Sequence, residues 1–97
     1  MIRHVVAFRW KPDTDDAAIE AVRAGLADLP AQIPGVLRYE FGPDAGINEG
    51  NFDYVVVADF DDRDAYLVYR DHPVHRALIA ECIAPHVAER VAVQYEL

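Results

Sequence analysis

Tyr54-Val55-Val56-Val57-Ala58 constrains the architecture of this chain more than any other segment. Alternation along a strand places Tyr54, Val56 and Ala58 on one face and Val55 and Val57 on the other, and both faces are apolar. A strand is apolar on both sides only when both sides are covered. The strand extends from about Phe52 to Phe60. Upstream, the Gly-, Asn- and acid-rich segment 44–51 reads as a loop, and Gly42-Pro43 closes an earlier strand over 36–41. Downstream, Asp61 or Asp62 caps a short helix running through Tyr69.

The rest of the chain fills in around these elements. Ile2 to Trp10 is a first strand, with Ile2, His4, Val6, Phe8 and Trp10 on one face and Arg3, Val5, Ala7 and Arg9 on the other. Pro12 ends it, and Asp13 or Thr14 caps a helix whose stripe is Ala18, Ile19, Val22, Leu26 and Leu29. Pro30 and then Ile33-Pro34-Gly35 break that helix. Pro73 disfavours helical geometry at His72 and suits the first turn of a new helix, which ends at or before Ala84 because Pro85 follows. Val91 to Glu96 is the last strand. The order is βαββαβ with a broken second helix, an α+β arrangement in one domain over residues 1–97. Two helices cover one face of a four-stranded sheet. The second apolar face of the third strand then calls for another cover. A second copy of the sheet supplies it, closing two sheets into a barrel across a two-fold axis; the alternative is a monomer with one wet sheet face.

Composition narrows the function classes. The chain has 97 residues with 53% apolar content, enough for one small core and too few for two domains. Seventeen acids against nine basic residues give a net charge of -8, which argues against nucleic acid or an anionic membrane as partner. Cys82 is the lone cysteine, so no disulfide framework or cysteine-based zinc site is expected, and a reducing cytoplasm fits. There is no signal-type apolar segment and no run long enough to span a bilayer, so a soluble, intracellular protein is expected.

Candidate chemistry concentrates in Tyr69-Arg-Asp-His-Pro-Val-His75 and in His4. On a helical wheel from Val74 the apolar arc holds Val74, Leu78, Ile79, Cys82 and Ile83, with His75 in its middle. Tyr69 points into the same space across the break. His4 joins them if Val6 and Phe8 face the helices. The start of a helix, burial and Arg76 all disfavour a cation at His75, while Asp71 opposes them. A neutral imidazole at pH 7 can act as a base. A buried histidine taken alone is more often a hydrogen-bonded core residue. His72 reads as a helix cap. His72-x-x-His75 has metal-ligand spacing, but a cap residue points away and no third ligand is evident, so no transition metal or haem is expected. His86 reads as surface, Asp61, Asp62 and Asp64 as a capping cluster, and no Gly-rich phosphate loop is present.

The segments His4-Val-Val-Ala-Phe-Arg-Trp-Lys11, Ile33-Pro-Gly-Val36, Phe52-Asp-Tyr54 through Phe60, and Tyr69-Arg-Asp-His-Pro-Val-His75 occur in this order. Together they resemble the stress-responsive A/B barrel (Dabb) family of the dimeric α+β barrel superfamily, over nearly the whole chain. The resemblance implies a ferredoxin-like βαββαβ protomer with a four-stranded antiparallel sheet, and a homodimeric barrel. One branch, similar to olivetolic acid cyclase, closes linear polyketides by aldol chemistry without a cofactor. By that resemblance His75 is the catalytic histidine, Tyr69 its partner and His4 the first-strand histidine. Leu26 stands where the plant cyclase has a pocket tyrosine, and Gln94-Tyr95 stands where the family often has an acidic residue before the aromatic.

Three functions compete. The first is a homodimeric barrel with a pocket for a small, partly apolar ligand, lined by Val6, Phe8, Leu26, Tyr66, Leu78 and Ile79. The second is a cofactor-independent cyclase in which His75 abstracts a proton beside a carbonyl while Tyr69 and His4 hold the oxygen. The third is a non-catalytic stress-response protein with structural histidines.

Overall fold

The computed structural model describes residues 1–97. Strand β1 (Ile2–Trp10) leads to helix α1 (Asp16–Gln32), strands β2 (Arg38–Pro43) and β3 (Tyr54–Phe60), helices α2 (Arg63–Asp71) and α3 (Pro73–Leu78), and strand β4 (Val87–Glu96). A π-helical turn (Ile79–Ile83) and a 3-10 turn (Ala84–His86) join α3 to β4. The sheet order is β2-β3-β1-β4 and every neighbouring pair is antiparallel. This is the α+β, ferredoxin-like arrangement.

The helices cover one face of the sheet. Ile2, His4, Val6 and Phe8 of β1 are buried beneath them, as are Tyr54, Val56, Ala58 and Phe60 of β3. They meet Val22, Leu26, Leu29 and Tyr69 in one core, where Ala58 and Phe60 are 0% exposed. Burying a side chain the size of Phe60 stabilises by about 2–3 kcal/mol. The opposite face carries Val5, Ala7, Val55, Val57, Val91, Val93 and Tyr95, which the strand register sets side by side. Val91, Val93 and Tyr95 are 52%, 61% and 44% exposed. At the edge of this apolar patch Arg3 makes a two-pronged pair with Asp59, 2.8 Å on each prong.

Several boundaries differ from the sequence reading. The cap of α1 is Asp15, whose carboxylate accepts from the Ala18 N–H, rather than Asp13 or Thr14. Pro30 lies inside α1 without breaking it, because a proline in the last turn removes one hydrogen bond and Ile33 N–H still reaches the Leu29 carbonyl. The chain turns at Pro34-Gly35, where Gly35 takes a φ of 91°. Strand β2 starts at Arg38, not Val36, and β3 at Tyr54, not Phe52. Strand β4 starts at Val87, not Val91, because it pairs along the whole of β1 as far as Trp10. Of the two proposed caps for α2, Asp62 does the capping, accepting from Ala65 N–H. The break at His72 is present, with φ −61° and ψ 134°. The helix from Pro73 slips into a π turn, closed by Ala84 N–H on the Ile79 carbonyl, before reaching Pro85. Proline at 85 has no N–H for the Glu81 carbonyl and crowds it, so the regular ladder cannot continue.

Candidate functional site

A cavity of about 870 Å³ opens between the helices and the covered face of the sheet. His4, Val6 and Phe8 line it from β1, Leu26 from α1, and Tyr66, Tyr69, Arg70 and Asp71 from α2. His75 and Arg76 of α3, the π turn with Ile79 and Ile83, and Val87 and Arg90 of β4 complete the lining. Its size lies within the range of small-molecule sites, about 300–1,000 Å³. The strand register explains how His4 comes to share it with His75. His4 alternates in phase with Val6 and Phe8, and all three face the helices. Leu78, expected in the lining, is absent from it. It is buried and packs close over Gly25 of α1, where an added methyl group would collide with its side chain.

The helix break sets the orientation of His75. A helix leaves its last carbonyls unpaired. Val74 N–H, which would have continued α2 to the Arg70 carbonyl, donates instead to His72 Nδ1 at 3.2 Å. The Arg70 carbonyl is taken by His75 Nδ1 at 3.0 Å. A carbonyl only accepts, so Nδ1 carries the proton and Nε2 of neutral His75 holds a free lone pair. His4 is held the other way round. Gln94 Nε2–H donates to His4 Nδ1 at 2.9 Å, which leaves the proton of neutral His4 on Nε2. Neither Nε2 has a protein partner, and no fully buried side-chain nitrogen or oxygen lacks one, so both Nε2 atoms are accessible. One cavity therefore holds an imidazole set to accept a proton and another set to donate a hydrogen bond.

Both rings favour the neutral form. Burial, reinforced by Arg90 and His75, holds His4 down to about pKa 4. Burial also lowers His75, against the raising effect of hydrogen bonding to the Arg70 and Tyr69 backbone. The C-terminal carbonyls of α2 thus favour a cation at His75, while its place in the first turn of α3 disfavours one. Arg90, rather than Arg76, supplies the repulsive cation. Asp71 attracts a charge on His75, but it pairs first with Arg70 at 2.9 Å, and burial still sets the direction of the His75 shift.

Tyr69 is buried, and its ring lies 4.2 Å from His75 and 6.2 Å from His4 between centroids. Its hydroxyl bonds to the Tyr39 hydroxyl at 2.8 Å. Burial pushes its pKa up to about 12, so it stays a phenol at every working pH. Tyr66 stands 5.1 Å from the His4 ring. His72 is a backbone cap, as read from the sequence, and no group of three or more His, Cys, Asp or Glu side chains is arranged to hold an ion. Cys82 packs against the core, half-buried. Sequence reasoning missed Arg90, Gln94 and Tyr39 as parts of the site. Reading β4 from Val87 would have found the first two, since Arg90, Ala92 and Gln94 then alternate on the face of Phe8, Val6 and His4.

Comparison with known proteins follows this architecture. A stress-response A/B barrel domain-containing protein of Arabidopsis thaliana is 28% identical over 76 residues, spanning 75% of this chain. The match spans 66% of that relative, just under two thirds of its length. A dimeric ferredoxin-like protein of unknown function from Thermobifida fusca superposes with a TM-score of 0.92 at 48% identity, covering 99% of this chain and 90% of that one. The hydroxynitrile lyase of Passiflora edulis superposes with a TM-score of 0.87 at 20% identity, covering 99% and 92%, a likeness of fold. No helix of the chain is long and apolar enough to cross a membrane. The family model of the Stress responsive A/B Barrel Domain matches residues 2–97, and the chain belongs to that family, Dabb.

Proposed function

We propose that this protein forms a homodimer through the uncovered sheet face and holds a small, partly apolar molecule in the cavity between helices and sheet. The cavity itself carries the ligand reading. Its wall is apolar at Val6, Phe8, Leu26, Ile79 and Ile83, and polar atoms converge at His4 and His75. The dimer reading rests on the apolar patch of Val55, Val57, Val91 and Val93, which no element of the chain covers. The Thermobifida relative, described as dimeric, supports it. Native mass spectrometry of purified protein is expected to give a dimer, and extraction under denaturing conditions a bound small molecule or, from emptied protein, a cavity that takes up apolar probes. An empty cavity that no probe enters would leave a non-catalytic, purely structural role.

A second reading, proton abstraction from carbon beside a carbonyl, is favoured by the opposed states of the two imidazoles. His75 Nε2 is unprotonated at pH 7 and is the proton acceptor. His4 Nε2–H donates to the carbonyl oxygen as negative charge develops there. Tyr69 positions His75 by stacking. In an aldol-type cyclisation the resulting enolate carbon attacks a second carbonyl of the same molecule. His75→Ala is then expected to lower turnover of a poly-β-keto test substrate by about 10²-fold or more while the protein stays folded, and Tyr69→Phe to lower it less. Activity should fall as pH drops through the depressed pKa of His75 and stay level above it. An alanine variant with a normal rate would end this reading and leave binding as the function.

A further inference from the structure

We propose that Arg90 receives the carboxylate of an amphipathic monocarboxylic acid whose apolar tail lies against Val6, Phe8, Leu26 and Ile83. The proposal rests on the cavity being a ligand site and specifies its occupant.

Every other arginine of the chain reaches an acid within 4.0 Å, as Arg3 does with Asp59, Arg23 with Glu20 and Arg70 with Asp71. The one lysine, Lys11, donates to the Pro85 carbonyl. Arg90 has no acid and no hydrogen-bond acceptor in the chain, although the net charge of -8 means acids are in large excess. It stands opposite Phe8 in the sheet register and lines the cavity from β4. The residue is exposed at the border of the apolar wall, and the planar fork of a guanidinium without a partner suits a carboxylate.

The remaining charges in the lining single out Arg90. Arg70 pairs with Asp71 at 2.9 Å and Arg76 reaches the same carboxylate at 3.9 Å, so each has an acid within reach although the trio keeps one net positive charge. His4 and His75 favour the neutral form, for which burial is the first cause and Arg90 itself a further one. Tyr69 is a phenol, its pKa raised by burial. Arg90 is the one charged group of the lining with no counter-charge, and it is the place for a carboxylate. A cavity of about 870 Å³ leaves room for a tail of medium length.

Octanoate and octan-1-ol share a tail and differ in the head, so calorimetric titration of the purified protein with each separates the proposal from the reading beneath it. Octanoate is expected to bind at least tenfold more tightly than octanol at low salt, with the preference shrinking as salt rises. Arg90→Gln should erase the preference by weakening octanoate and leaving octanol unchanged. Arg90→Lys, which keeps the charge and loses the fork, should fall between the two; thermal melts of both variants check that they fold. Equal affinity of the wild type for both probes, or a preference that survives in folded Arg90→Gln, would overturn the role of Arg90 while leaving the cavity a ligand site. Failure of the wild type to bind either probe would remove the cavity reading and this proposal together.

Discussion

The two faces of the sheet share the same strands and use them differently. On the covered face of β1, His4 lies among Ile2, Val6 and Phe8 and is 4% exposed. One residue along, Val5 pairs with Val57 and Val93 on a face that no helix touches. The covered face has burial without complete filling, which leaves the cavity. The open face has apolar side chains without burial, which leaves a surface to be covered. On the first, Gln94 holds His4 by a hydrogen bond, while Arg90 has no partner in the chain. On the second the charged groups pair with one another, as in Arg3–Asp59 and Arg38–Glu40. Period-two alternation therefore separates a cavity wall from an uncovered apolar surface.

The largest expected effect tests the open face. Val57→Glu places a carboxylate in the middle of the patch, where an interface would bury it unpaired. Dimer dissociation should rise by about a thousandfold or more, equivalent to about 4 kcal/mol, as read by analytical ultracentrifugation. On a wet monomer face the same change should alter stability by about 0.5 kcal/mol or less. A wild type that is monomeric at micromolar concentration would dissolve the comparison.

The covered face is tested by pH. Unfolded His4 takes up a proton near pH 6.5, and folded His4 only at about 4. Between those values the unfolded chain binds more protons, so stability is lost as pH falls through that window and levels off below it. The loss from this one group is about 3 kcal/mol. Denaturant unfolding of wild type and His4→Gln at pH 7 and pH 4 checks it, because the variant should lack this part of the slope. Parallel curves for the two proteins would mean that His4 is not held neutral by burial.

A smaller change sharpens the same contrast. Gln94→Leu removes the donor to His4 Nδ1 and should cost about 1 kcal/mol. Gln94→Glu sets a carboxylate beside that nitrogen and should make His4 a cation at neutral pH. NMR titration of the imidazole is expected to show its pKa rising above 6.5 in this variant. An unchanged titration would mean that Gln94 does not set the protonation state of His4.

Much of this architecture is legible in residue patterns, for identifiable reasons. Alternation in β1 places His4 with Val6 and Phe8, because strand periodicity survives any context that buries one face. The two-sided apolar run of β3 announces a surface beyond the helices. Pro73 marks the break at His72 through local sterics. Other features carry no local signal. The start of β4 at Val87 is set by its pairing with β1, so Arg90 and Gln94 were overlooked as site residues. Leu78 packs over Gly25 of α1 and so lies outside the cavity lining, a contact between helices far apart in the chain.

By itself the sequence determined the order of elements, the face of β1 that carries His4, and the helix break that frees the Arg70 carbonyl. All three follow from periodicity and from proline sterics within a few residues. Only the tertiary structure decided which proton each imidazole holds, that Tyr69 spends its hydroxyl on Tyr39, and that Arg90 is left without an acid. Those facts depend on contacts between residues far apart in the chain, such as His4 with Gln94 and Tyr39 with Tyr69. A hydrogen bond requires its partners within about 3 Å, and packing rather than composition brings them there.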